Sequence, residues 1–311
     1  MYRRNALSLI EVLTAIFIMG LGVISILTLF PLGAMRMAQA FRDERSALAA
    51  ANADQFMRTY WRQYVVETSS PDPLVLALDN PGGGLPPSNP HEPSYPVFVD
   101  PMGYVARNGL PNQNWIGDSP NLSRIPRRTV QLVGSNPSAC LALCSLKDGV
   151  YFDEGGNPID RELRYNYLWV IQRPINANRT TAHLTVVVFD RRAPMYAPPR
   201  SEQVFHGVNW TPGDQAVVIP GVNSNQLEIR SGDWIVDGTI YDPTSTALGR
   251  PGIRHARFYR VTAIADVPNG VQIDLQSPIL PPSDNGGPYI GTLIVLRGIS
   301  GVFVRSPLNG Q

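Results

Sequence analysis

Lysine is almost missing from this chain. One, Lys147, stands against twenty-five arginines among 311 residues. The two side chains carry the same charge, so the skew reflects composition bias in the coding sequence rather than chemistry. Charge of either sign is scarce: 16% of residues are charged and the net charge is +1. No strong field therefore draws the chain to nucleic acid or acidic lipid. Four histidines, His91, His183, His206 and His255, are scattered without metal-ligand spacing. No phosphate-binding loop and no nucleophile–base pattern stands out. The expectation is a protein that is not an enzyme and holds no cofactor and no metal. Only two cysteines occur, Cys140 and Cys144. Outside the cytoplasm they could pair. Four-residue spacing on a helix puts the Cα atoms near the upper end of disulfide range, so a bridge would favour a bent loop. Two small buried thiols are the alternative.

What the chain does have is one long apolar run near its start. Arg3 and Arg4 precede it, Glu11 interrupts it early, and Val12 to Met35 carries no charged side chain. At 1.5 Å per residue that is about 36 Å of helix, enough to cross a hydrocarbon core of about 30 Å. The run is too long for a secretory signal, and no small-residue cleavage site closes it. The positive-inside rule places residues 1–6 in the cytoplasm and everything after Met35 outside. A carboxylate inside such a segment costs roughly 2.5–3.5 kcal/mol on insertion scales. A plain anchor has no use for it.

The residues Arg4-Asn5-Ala6-Leu7-Ser8-Leu9-Ile10-Glu11-Val12-Leu13 resemble the processing motif of type IV prepilins and type II secretion pseudopilins. That motif is a short basic leader, a small residue, then a hydrophobic residue, Ser or Thr, Leu, Ile, Glu, Val, Leu. The resemblance covers about thirty residues. It implies cleavage between Ala6 and Leu7 by a prepilin peptidase and N-methylation of the new terminus, Leu7. It also gives Glu11 a filament-assembly role: its carboxylate would pair with the Leu7 amine of a neighbouring subunit. A buried carboxylate is costly alone and specifies register when paired. Ala6 stands where Gly is usual in the family, and Leu7 where Phe is usual. Gly20, Gly22 and Pro31 punctuate the helix. The glycines allow close packing in lipid, and Pro31 removes a donor and is expected to kink or loosen the helix.

Helix formers then continue without proline to about Glu67. On a helical wheel Met37, Phe41, Leu48, Phe56, Met57, Tyr60 and Tyr64 fall on one broad arc. Asp54 and Arg58 form an i,i+4 pair. One helix is expected from Leu7 to Glu67, first in lipid and then laying an aromatic face on a globular body.

Residues 69–127 are rich in Pro, Gly, Asn and Ser and read as loop, with short strands at Pro96–Asp100 and Gly103–Ala106. Gly117-Asp118-Ser119 resembles a fragment of a serine-hydrolase motif, a weak signal alone. Arg128–Gly134 and Val150–Asp153 read as strands. Asp153-Glu154-Gly155-Gly156-Asn157 clusters oxygen ligands but lacks the ordered spacing of a calcium loop, so a solvated turn is expected. Alternation at Arg161–Arg173 and Thr180–Arg191 predicts a hairpin. Prolines at 194, 198 and 199 mark a boundary. Eight further strands follow: Gln203–Gly207, Gln215–Ile219, Leu227–Ile229, Asp233–Val236, His255–Asp266, Val271–Gln276, Thr292–Arg297 and Gly301–Val304. Asn269-Gly270 is a hairpin signal.

The expected class is α+β. A long amino-terminal helix, transmembrane and then amphipathic, packs on an antiparallel sheet in the pilin manner, followed by an all-β barrel or sandwich. The divisions are 1–6 leader, 7–35 membrane or filament-core helix, 36–68 amphipathic continuation, 69–200 loop and sheet, and 201–311 second β domain. The resemblance implies a structural minor pilin or pseudopilin. Its partners would be a prepilin peptidase, other pilin subunits and the inner membrane, with no nucleic acid. The body would be periplasmic or extracellular, on a single-pass chain with a cytoplasmic amino terminus. A tip adhesin or membrane-anchored substrate-binding module is the competing function.

Overall fold

The computed structural model describes residues 9–68, 72–82, 85, 87–88, 93–110, 113–116, 125–132, 137–146, 150–152, 158–161, 164–190, 192, 202–227, 229–240, 253–282 and 287–309. The chain divides into two compact units, Met1–Arg45 and Ser46–Gln311. The described part of the first unit, residues 9–45, lies within α1 (Leu9–Trp61), which stays α-helical through Pro31 and is followed by a single π turn, Arg62–Val66. The helix is thus continuous across Pro31. Its large apolar side chains from Leu9 to Met35 are exposed within the chain.

The second unit begins with the last part of α1 and is layered. Ala49, Ala50 and Ala53 are small, which lets that part of the helix approach closely, and Met57, Tyr60 and Trp61 are buried beside them. They meet strand β5 (Tyr165–Gln172) and β6 (Ala182–Asp190), the expected hairpin. Period-two alternation sorts β5 onto two faces. Tyr165, Tyr167, Trp169 and Ile171 join the helix core. Leu168 and Val170 join a second core on the opposite face. Trp169 Nε1 donates to the Ala53 carbonyl at 2.8 Å and Trp61 Nε1 to the Thr180 carbonyl at 2.8 Å. Each aromatic buries its bulk while its polar tip finds an acceptor.

The sheet has five strands in the order β13-β6-β5-β1-β2, with β1 Val97–Val99, β2 Arg127–Arg128 and β13 Ile299–Leu308. It is mixed, because β1 and β2 run parallel and the other pairs antiparallel. A separate two-stranded ribbon joins β3 (Val150–Phe152) to β4 (Pro158–Arg161). The other sheet is a closed six-stranded barrel, ordered β10-β11-β8-β7-β12-β9. Its strands are β7 Glu202–Trp210, β8 Ala216–Pro220, β9 Trp234–Asp237, β10 Arg257–Val267, β11 Gly270–Leu275 and β12 Tyr289–Leu296. Val208, Trp210, Ile235, Val261, Ile273 and Leu293 fill its interior. Val236, Ile294 and Leu296 point the other way and join Phe98, Leu168 and Phe189 in the second core. The order of layers is thus helix, five-stranded sheet, barrel.

Several expectations give way. Gly103–Ala106 is not a strand but part of helix α3 (Pro101–Ala106). Asp100 caps it, its Oδ1 accepting from Gly103 N–H at 3.0 Å, with Pro101 in the first turn. A Cβ on Gly103 would lie 2.0 Å from Asp100 Oδ2, so the cap needs glycine there. The same Asp-Pro start opens α2 (Pro73–Asp79), where Asp72 accepts from Leu74 N–H at 2.7 Å. The stretch read as loop thus carries two short helices. The strand expected at Arg128–Gly134 shortens to β2 and a turn. Leu227 follows a 3-10 turn, Ser224–Gln226, rather than opening a strand. Met37, Phe41 and Leu48 are 60%, 50% and 52% exposed. The last strand leaves the barrel and pairs with β6.

Candidate functional site

Ala6 and Leu7 lie outside the described residues, and Glu11 sits in the first turn of α1. The polar side chains that follow answer their apolar setting locally. Thr14 Oγ1 donates to the Ile10 carbonyl at 2.5 Å, and Ser25 Oγ to the Leu21 carbonyl at 2.8 Å. Hydroxyls bonded to the preceding turn add no exposed donor to the surface. A Cβ built on Gly20, Gly22 or Gly33 meets nothing within 4 Å. Among the described residues one helix is long and apolar enough to cross a membrane. Arg36, Arg42 and Arg45 follow the apolar stretch.

The other expected site residues scatter. Cys140 and Cys144 are one turn apart on α4 (Pro137–Cys144), both buried and both free thiols. Of the two alternatives the structure takes the second, and the reason is the regular helix between them. Burial pushes the Cys140 thiol up to about 12 and Cys144 well above its usual value, with Asp100 adding to both. Cys140 Sγ donates to the Pro101 carbonyl at 3.5 Å. Such thiols are poor nucleophiles. His91, the segment Gly117–Ser119 and the candidate calcium turn Asp153–Asn157 lie outside the described residues.

Two polar clusters were not foreseen. At the mouth of the barrel His255 Nε2 and Asp237 Oδ2 are 2.6 Å apart, and Tyr289 OH donates to the same oxygen at 2.5 Å. Thr239 Oγ1 donates to Asp237 Oδ1 at 2.5 Å. Burial raises the Tyr289 hydroxyl far above its ordinary range, and the Asp237 charge adds to it. The phenol therefore stays a donor, and the four residues close on one another.

The second cluster joins β7 to the five-stranded sheet. Arg127 and Arg107 both reach Glu202, the latter at 3.2 Å. Arg192 grips Asp100 with both terminal nitrogens at 2.6 Å, and Arg127 Nε lies 3.5 Å from Asp100. Asp100, Arg127 and Glu202 are wholly buried. Burial alone would raise both acids. The Arg192 and Arg127 guanidiniums overcome it at Asp100, and Arg127, Arg107 and Arg192 overcome it at Glu202, so both carboxyls sit below the usual range. The ion-pair partners stand up to 95 positions apart (Arg107 and Glu202), which no local pattern could show. Among the described residues no group of three or more His, Cys, Asp or Glu is placed to hold a metal ion.

Compared with known proteins, the chain matches no family model and no curated protein. Among solved structures it is similar to a phage phi92 endosialidase at 12% identity and a TM-score of 0.19. The match covers 45% of this chain and 18% of that one. This chain therefore spans under a fifth of that protein's length, and a likeness at that score fixes neither fold nor activity.

Proposed function

We propose that this protein is a structural subunit of a pilus-like or type II secretion-like filament, cut between Ala6 and Leu7 and held in register by Glu11. The carrying observation is the run Arg4–Leu13 opening directly onto twenty-four uncharged residues, Val12 to Met35. The continuity of α1 and its exposed apolar surface support the reading. In this role α1 anchors the chain in the inner membrane, with residues 1–6 in the cytoplasm and the β-rich body outside. A prepilin peptidase removes the leader and Leu7 gains a free, methylated amine. The Glu11 carboxylate, unfavourable in lipid by roughly 2.5–3.5 kcal/mol, is relieved when it meets that amine on the next subunit. The work is assembly rather than catalysis.

Amino-terminal mass spectrometry on membrane-extracted protein tests the first half. The expected terminus is N-methyl-Leu7; an intact Met1 overturns it. Glu11→Ala tests the second. The variant should still be cleaved but should fail to enter filaments. Normal incorporation sinks the pairing.

A further inference from the structure

The loop between β5 and β6 is held by two turns. Ala177 N–H donates to the Pro174 carbonyl at 3.3 Å and Thr181 N–H to the Asn178 carbonyl at 2.9 Å. Within the first turn Asn176 sits at φ 57, in the left-handed region that asparagine tolerates. This loop forms one wall of an open cleft of ≈ 570 Å³. Asp79 and Asn80, at the end of α2, and Ser88 form another. Ser88 is fixed there: its N–H donates to the Asp79 carbonyl at 2.6 Å and its hydroxyl to Asp79 Oδ1 at 3.3 Å.

Arg173 also lines the cleft and is buried. Its Nη1 pairs with Asp79, its Nη2 donates to the Arg179 carbonyl at 3.4 Å, and its Nε has no partner. The Arg179 side chain is exposed and makes no hydrogen bond or ion pair among the described residues. Asp79 offsets one of the two guanidiniums, so among the described residues the cleft lining holds one uncompensated positive charge. The volume falls in the range of small-molecule sites, but most such sites have apolar walls. Here Asn80, Ser88 and Asn176 supply amides and a hydroxyl. The matching ligand carries one negative charge and many hydroxyls, not a hydrophobic body.

We propose that this cleft binds a hydroxylated monocarboxylate of sugar size, with its carboxylate on Arg179. Its hydroxyls are taken by Asn80, Ser88 and Asn176. This site stands whether or not the chain assembles into a filament. A free sugar acid and an acidic sugar within a polysaccharide present the same chemistry.

The test is calorimetric titration of the full-length, detergent-solubilised protein with D-galacturonate, its linear trimer and neutral D-galactose. Galacturonate should saturate the protein, and galactose should bind at least about tenfold more weakly, the loss expected for one charge-assisted contact. Arg179→Ala should weaken galacturonate by a similar factor without moving the unfolding midpoint. Asn176→Gly keeps the left-handed turn and should cause a smaller loss. A trimer tighter than the monomer assigns the cleft to a polysaccharide, and equal binding assigns it to a free acid. Absence of saturable binding by either acid, equal affinity for galactose, or unchanged affinity in Arg179→Ala overturns the proposal.

Discussion

Removing the charge from Glu202 should destabilise the body more than removing Arg127, although the two are direct partners. The cluster holds two carboxylates, Asp100 and Glu202, and three guanidiniums, Arg107, Arg127 and Arg192. Glu202→Gln leaves three cations around one anion in a region where Asp100, Arg127 and position 202 see almost no water. Breaking a buried pair from one side costs about 3–5 kcal/mol. Arg127→Met leaves two cations and two anions. It also deletes Arg127 Nη1, a buried donor with no acceptor. Its cost should be the lost bond to Glu202 and some packing, on the order of 1–3 kcal/mol. Urea unfolding followed by tryptophan fluorescence measures both. With a slope near 3 kcal/mol/M, Glu202→Gln should lower the midpoint by about 1–1.7 M. Because the groups are buried, added salt should not narrow the gap. A Glu202→Gln midpoint equal to the parent's, or an Arg127→Met variant at least as unstable as Glu202→Gln, would refute the charge-balance reasoning.

Acid should weaken the body through the same cluster. Asp100 and Glu202 titrate below their ordinary range when folded. Their stabilisation is therefore complete above about pH 4–5 and is lost as pH falls toward the folded values, each group contributing a slope of up to about 1.4 kcal/mol per pH unit. Urea midpoints across that acid limb should show the slope, and Glu202→Gln should flatten it. Ala53→Leu forces a larger side chain between α1 and Trp169, whose indole donates to the Ala53 carbonyl. Overpacking should cost about 1–3 kcal/mol by the same urea assay; no change would mean that the helix does not approach the sheet so closely. Cys140 and Cys144 should resist a thiol reagent in the native body and react once it is unfolded. Rapid native labelling would contradict their burial.

The barrel and the β5–β6 hairpin were legible because alternation along a strand directly records which face is buried. Tyr165, Tyr167 and Trp169 show this best, taking one core while Leu168 and Val170 take another. The hairpin at Asn269-Gly270 was found, though shifted by one: Pro268 and Asn269 form the turn, and Gly270 is already paired with Pro220. There a Cβ would lie 1.9 Å from the Ile219 carbonyl oxygen, so the glycine answers a close strand crossing. Helices α2 and α3 were missed although Asp72-Pro73 and Asp100-Pro101 announce both, because a Pro- and Gly-rich neighbourhood outweighed two good caps. The wheel arc through Met37, Phe41 and Leu48 told that these residues share a side, not what covers it. Neither the Asp100–Glu202 cluster nor the cleft at Arg173 could be read, since each is assembled by chain segments far apart in sequence.

The pairing of β13 with β6 has a consequence for how this architecture could change over time. Ile299 sits opposite Phe189, and Asp190 N–H donates to the Gly298 carbonyl at 2.8 Å. The chain therefore departs for the barrel and comes home at neighbouring points. Everything from β7 to β12 is an insertion hung on one sheet edge, like a cassette in a slot. Excising it and joining the two ends by a short turn would leave β6 and β13 as an ordinary hairpin. A different module could occupy the same slot only if it covered Phe98, Leu168 and Phe189 again and supplied a carboxylate to Arg127, as the barrel does now. Because β13 completes that sheet, the sheet cannot close until the chain through Leu308 has emerged from its site of synthesis.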